Sequence, residues 1–212
     1  MITIEQARAL YQDNDTAHGF DHVMRVWRLA RRIGAIEGAD LDIVSAAALL
    51  HDAGRAEQDQ TSLCHALLGA QIARKVLNGH PWQRVEAVAQ AIEQHRFRSS
   101  NPPTSLEARV LYDADKLDAI GASGVARAFA LAGARRQRLW ARVNPGYAER
   151  SPEEGHADLE ADGHTPVHEY LFKLVKLQDR MLTDTGKLVA KERHEFMAQF
   201  FARLEQEVEG TI

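Results

Sequence analysis

The sequence predicts an all-α protein, and three observations carry that expectation. Apolar residues recur at spacings of three and four along nearly the whole chain, the period of a half-buried helix. No stretch shows several turns of strict apolar-polar alternation between Asn-Gly or Asp-Gly signals, as a hairpin would. Capping side chains precede several of the periodic runs, and glycines follow them. The 212 residues suffice for a core that needs no staples, so 1–212 is expected to form a single domain.

The elements follow in order. Thr3 and Gln6 form a capping box for a short first helix. Val23, Val26, Trp27, Ala30 and Ile33 make the stripe of a second, which Gly38 ends. Asp40 caps a third that runs through Ile43, Val44, Ala47 and Leu50 to His51 and Asp52, where Gly54 breaks the pattern. The His-Asp pair thus lies at a helix's carboxyl end. Leu67, Leu68, Ile72, Val76 and Leu77 mark a fourth helix, stopped by Asn78-Gly79. Pro81 opens a fifth, faced by Val85, Val88, Ala89 and Ile92, with His95 at its exit. Residues 97–105 read as a loop.

Thr104 with Glu107 boxes the next helix, which carries Val110, Leu111, Ala114, Asp115, Leu117 and Asp118 before Gly121 interrupts it. Another helix holds Val125, Phe129 and Leu131 and leads into a basic, aromatic stretch at 134–143. Residues 144–166 are rich in Gly, Pro and acids and too long for an ordinary connection, which predicts a lid or a passive excursion. Two long amphipathic helices close the chain. One runs through Tyr170, Leu171, Leu174, Val175 and Leu182, the other through Val189, Phe196, Phe200 and Leu204. Met181, Met197, Phe196 and Phe200 are expected in the core.

Composition excludes several classes of function. Lys and Arg total 26 against 30 Asp and Glu, for a net charge of −4, and the pI is near 6.2. A dedicated nucleic-acid binder normally carries a basic domain. The apolar stretch at 43–50 falls well short of the roughly 20 residues a membrane helix needs. The lone Cys64 cannot form an intramolecular disulfide, and the amino terminus shows neither a basic nor an apolar leader region, so the expected address is the cytoplasm. Ten histidines, by contrast, are many for a chain of this length, and histidine is the commonest metal ligand.

The chemistry gathers in one constellation. His22 on the second helix, His51-Asp52 ending the third and Asp115 on a later helix come from three separate helices. Two imidazoles and two carboxylates suit a divalent transition ion with open positions for water and substrate. Residues two apart on a helix diverge by about 200°, so Asp113 and Asp115 cannot both face one ion, whereas Asp115 and Asp118 share a face.

His22, His51, Asp52 and Asp115 resemble the pattern of the HD-domain metal-dependent phosphohydrolases: a histidine, a His-Asp pair and a distal aspartate. The blocks HGFDHVMRV, ALLHDAGR, DADKLDAIGASGVARAF and KLVKLQDRMLTDTGKLVAKERHEFM are similar to a bacterial nucleotide pyrophosphohydrolase-like subgroup. The resemblance implies an all-helical HD fold and a metal-bound water attacking phosphorus. It selects Asp115 as the ligand, leaving Asp118 to orient a ligand imidazole. Manganese is the expected ion, with magnesium, nickel, iron, cobalt and zinc as the other divalent candidates. The implied substrate is a nucleotide, cleaved to monophosphate and pyrophosphate. A phosphomonoesterase, a phosphodiesterase, a di-iron oxygenase and a non-catalytic nucleotide sensor are the rivals.

Around that set, His65 and His95 fall near the places where two-metal HD phosphodiesterases carry further ligands. Those enzymes have adjacent histidines where this chain has His95-Arg96. One ion is therefore expected, with His65 and His95 touching phosphate or water and with Arg55, Arg96, Arg98 and Lys116 as cations for the phosphoryl charge. His18 lies one helical turn before His22, without the glutamate that a zinc-protease helix would place after it. Arg135, Arg136, Arg138 and Arg142 around Trp140 read as a solvated helix face or as a rim for phosphate or base. Cys64 is expected to be inert.

Overall fold

A computed structural model of the chain describes residues 1–11, 19–61, 63–96, 101–149 and 163–212. His18, Arg98 and the middle of the expected lid, 150–162, lie outside the described residues. The all-α expectation is met: the described residues form helices and 3-10 turns and no strand. They group into two compact units, Met1–Asp115 with Leu182–Gly186, and Lys116–Met181 with Lys187–Ile212.

The first unit is built from α1 (Ile4–Arg8), α2 (Phe20–Glu37), α3 (Leu41–Leu50), α4 (Arg55–Thr61), α5 (His65–Val76), α6 (Trp82–Gln94) and most of α7 (Leu106–Asp118). Thr3 and Gln6 form the expected capping box, and Gly38 ends α2 with a φ of 80°, a left-handed conformation that glycine adopts without steric cost. Asp40 caps α3 by accepting from the amides of Asp42 and Ile43, and Arg84 donates to both of its carboxylate oxygens. Helix α3 packs on α2 and α6, and α5 lies along α6. Val23, Val26, Ile33, Val44, Leu50, Val88, Ile92 and Leu111 fill the core between them.

Two local expectations need correction here. Helix α7 is capped one residue later than Thr104: the Ser105 hydroxyl accepts from the Ala108 amide. Thr104 is held instead by Gln94, and Glu107 accepts from the Asp40 amide. In α5, Leu67 and Val76 of the expected stripe are exposed. The buried face runs through His65, Leu68, Gly69, Ala70 and Ala73, because small residues let the neighbouring backbone approach.

The second unit contains the end of α7, α8 (Gly121–Ala134), α9 (Pro166–Phe172) and most of α10 (Asp184–Glu209). Phe129 packs against Phe200 and Phe201, and Tyr170 stacks on Phe201 at 4.2 Å. Met181 and Met197 are buried as expected, but Phe196 is 49% exposed, since it is the adjacent Met197 that occupies the inward position on α10. The first of the two long helices expected at the end of the chain is broken: α9 stops at Phe172 and two 3-10 turns follow, Leu174–Lys176 and Gln178–Arg180. A tighter turn of about three residues aligns Leu174 with Leu177, and both are buried. Tyr147, in a 3-10 turn at Pro145–Glu149, meets His164 across 3.4 Å and sets its ring edge-on to His168.

Candidate metal centre

The close fit of α5 against the end of α3 builds the centre. A Cβ on Gly54 would lie 2.6 Å from the His65 carbonyl oxygen, and one on Gly69 would lie 3.1 Å from the His51 carbonyl oxygen. Glycine at 54 is what lets the turn after α3 nest on α5, with Gly69 a close fit beside it, and that nesting brings His65 to Asp52.

Four imidazoles and two carboxylates of the first unit converge. His22 Nε2 lies 3.3 Å from His51 Nε2, 3.6 Å from Asp52 Oδ2 and 3.4 Å from Asp115 Oδ1. His51 Nε2 is 3.6 Å from Asp52 Oδ2 and 4.0 Å from Asp115 Oδ1. The other Asp52 oxygen, Oδ1, faces His65 Nε2 at 3.6 Å and His95 Nε2 at 3.8 Å. Asp52 therefore belongs to two groups able to hold a cation, His22-His51-Asp52 and Asp52-His65-His95, all buried.

Hydrogen bonds fix how these rings present themselves. His51 Nδ1 donates to the Ala48 carbonyl at 2.8 Å, His95 Nδ1 to the Ile92 carbonyl at 2.5 Å and His65 Nδ1 to Gln58 Oε1 at 2.7 Å. A neutral imidazole that donates from Nδ1 carries its lone pair on Nε2. Burial lowers the His51 pKa and, with Arg55 nearby, drops that of His65 to about 4, so both rings are neutral near pH 7. Burial opposes ionisation of Asp52, yet the facing histidines and Arg55 outweigh it and hold the carboxyl well below its usual range. Arg55 is a permanent cation beside the group. Its Nε donates to Asp52 Oδ2 at 2.5 Å, while Asp52 Oδ1 is buried without a hydrogen-bond partner.

A buried carboxylate with one unpartnered oxygen thus faces the Nε2 atoms of His22, His51, His65 and His95, and in neutral His51 and His65 that nitrogen carries a lone pair. This donor set fits a divalent cation, since neutral nitrogen and anionic oxygen at such separations suit transition ions, and the Nδ1 bonds supply the outer support that orients ligand rings.

The remaining predicted residues are distributed as follows. Arg96 Nη1 lies 3.0 Å from Cys64 Sγ. Burial pushes the half-buried Cys64 thiol up, and Arg96 outweighs this to leave its pKa lowered, a neighbour that the sequence reading of Cys64 did not foresee. Lys116 follows Asp115 on α7 and is buried at the start of the second unit, as is Asp118. Asp113 turns away from Asp115: its carboxylate accepts from the Leu182 amide and from the amide and hydroxyl of Thr183. Arg135, Arg136 and Arg138 are exposed and lie beyond the end of α8, so they do not form a helix face. Two neighbours of the site carry no sequence signal: Gln58, whose short polar helix has no apolar stripe to announce it, and Tyr11, whose hydroxyl donates to the Leu49 carbonyl.

A helical scaffold that focuses histidines and carboxylates from separate helices onto one buried point is that of a metal-centre protein. Residues 19–120 match the HD domain family. The chain is 34% identical to the uncharacterised protein YpgQ of Bacillus subtilis over 96% of its own length and 90% of that protein. The structure of B. subtilis YpgQ in complex with ADP superposes with a TM-score of 0.74 at 33% identity, covering 98% of this chain and 99% of that one. A predicted HD superfamily hydrolase from an uncultured Thermotogales bacterium gives 0.67 at 28% identity, over 96% and 90%. The chain belongs to the HD-domain family.

Proposed function

We propose that the protein is a metal-dependent phosphohydrolase that converts nucleoside triphosphates to monophosphates and pyrophosphate, with manganese the ion of choice. The observation that carries this reading is the buried Asp52 carboxylate, whose Oδ1 has no hydrogen-bond partner and faces His65 and His95 while Oδ2 faces His22 and His51. His22, His51, Asp52 and Asp115 would hold the ion. A bound divalent ion supplies a hydroxide near neutral pH and shares the charge of the phosphoryl group in flight.

The chain's own residues do the rest. His65 and His95 offer Nε2 acceptors that orient the hydrogens of a water or hold it against phosphorus. The Arg55 side chain is 31% exposed and reaches from Asp52 toward solvent, where its planar fork suits a phosphate oxygen. Lys116 adds a cation next to Asp115 in the chain. The ADP bound by YpgQ, a relative along its whole length, supports a nucleotide as the substrate class.

Anion-exchange chromatography of an early time point with a nucleoside triphosphate and manganese tests the reaction. Monophosphate and pyrophosphate appear together, with no diphosphate. A diphosphate peak, or activity confined to monophosphates, replaces this reading with a phosphomonoesterase. A second reading, two ions sharing Asp52, is favoured by the unpartnered Oδ1 between His65 and His95. Metal analysis after dialysis separates the two: one ion per chain for the first, and two, one of them lost in His65→Ala, for the second.

A further inference from the structure

The second unit holds a cavity of about 280 Å³ walled by Trp140, Val143, Val167, Tyr170, Leu171 and Phe201. Pockets for drug-sized ligands run to about 300–1,000 Å³, so this space is sized for one ring system. Among its mainly aliphatic walls stand the rings of Trp140, Tyr170 and Phe201, and Tyr170 and Phe201 stack at 4.2 Å with 12° between their planes. Trp140 is half-buried against the same space. Arg142 and Glu205 stand at its edge, and Arg142 Nη2 donates to Glu209 at 2.5 Å with four-fifths of its side chain exposed.

A second observation concerns the chain leading to this cavity. Helix α8 ends with the Arg136 amide bonded to Gly133 and the Gln137 amide bonded to Ala132, a Schellman closure whose left-handed position normally takes glycine. Here that position is Arg136, at a φ of 56° and alone among the described non-glycine residues in having a positive φ. An arginine in this position carries backbone strain that glycine would not. Arg135, Arg136, Arg138 and Arg142 fall within eight residues of one another, and the first three are exposed.

We propose that this cavity is a second nucleotide site, made from residues other than those of the His-Asp centre. A nucleobase lies among Trp140, Tyr170 and Phe201, and its phosphates lie on Arg142 and the arginines that precede it. Aromatic rings accept any base through its π face, and guanidinium groups pair with phosphate oxygens in a bidentate manner. Glu205 and Glu209 repel phosphate, so the phosphates take the arginine side while Glu205 accepts from an exocyclic amine. The exposed Arg142–Glu209 pair is of the weak surface kind that a phosphate can displace.

The test is ADP binding to the full-length protein by calorimetry. Two ADP per chain are expected in manganese, and one in EDTA or in His51→Ala. The site that survives in EDTA weakens at least tenfold in Trp140→Leu and in Arg142→Ala, with helical content unchanged. Adenosine and pyrophosphate each bind it at least tenfold more weakly than ADP. Arg136→Gly weakens it too while raising the unfolding midpoint by about 2–4 °C, the shift expected when strain of this size is relieved. Absence of ADP binding in EDTA overturns the proposal, as does unchanged affinity in both Trp140→Leu and Arg142→Ala. Pyrophosphate binding as tight as ADP would reduce the site to an anion patch and also overturn it. Failure of the hydrolytic reading would show instead in the product analysis and leaves the EDTA result untouched.

Discussion

At the scale of single residues, the centre depends on which nitrogen of each histidine is committed. Replacing His51 by Ala or Asp52 by Asn removes a ligand together with the geometry of both groups around Asp52. Hydrolysis and bound metal should both be lost while the circular dichroism spectrum stays helical; unchanged metal content in both variants would unseat the assignment. Gln58 is a positioning residue, because its Oε1 accepts from both the ring and the backbone amide of His65. Gln58→Leu should lower kcat about tenfold to a hundredfold, the range typical of such outer partners, with metal content unchanged. Gln58→Glu, which keeps the acceptor, should restore most of it. His22, His51, Asp52 and Asp115 do come together, and they were legible in the sequence as a histidine, a His-Asp pair and a distal aspartate, with the family resemblance singling out Asp115. Gln58 was not, because a glutamine in a polar seven-residue helix has no pattern of its own. Asp113 was legible only in the negative: helix geometry turned it away from Asp115, but nothing nearby in sequence announced Thr183 as its partner.

At the scale of elements, helix ends decide what holds. Asp40 caps α3 and receives Arg84 from α6, so Asp40→Ala should cost about 1 kcal/mol of stability by the usual worth of such caps. The hydrogen bond from Arg84 is the largest influence on its carboxyl and lowers the pKa. That contribution is therefore present above the unfolded value of about 3.9 and is lost as the pH falls through the lowered folded value. Urea unfolding from pH 7 to pH 3 should show a shallower acid decline in Asp40→Asn than in the wild type; identical slopes would remove Asp40 from the account. Helix existence was readable from periodicity nearly throughout, but the ends were less so. The one-residue shift from Thr104 to Ser105 arises because Gln94, distant in sequence, takes Thr104. The break after Phe172 has a similar origin, since burial of Leu174 and Leu177 favours a tighter turn that local spacing alone does not announce.

At the scale of the whole molecule, binding and folding are linked. The ligands come from separate helices, so the unfolded chain offers no preformed site, and an ion bound only by the folded state stabilises it by mass action. At a free manganese concentration about 100 times Kd this amounts to about 2.7 kcal/mol, or a midpoint rise of roughly 5–10 °C for a chain of this size. Differential scanning fluorimetry with manganese against EDTA should show the rise in the wild type and none in Asp52→Asn. An equal rise in both would place the ion elsewhere. No single described helix is long and apolar enough to cross a membrane, in keeping with the short apolar runs of the sequence.

The contact between Tyr147 and His164 carries a lesson for protein engineering. These two side chains lie together although a long run of chain separates them in sequence. Lengthening a closed loop twofold costs only about 0.6 kcal/mol. By that arithmetic a reporter domain or affinity handle inserted between Tyr147 and His164 should cost little stability while the contact between the two side chains is kept, which urea unfolding of the lengthened chain checks.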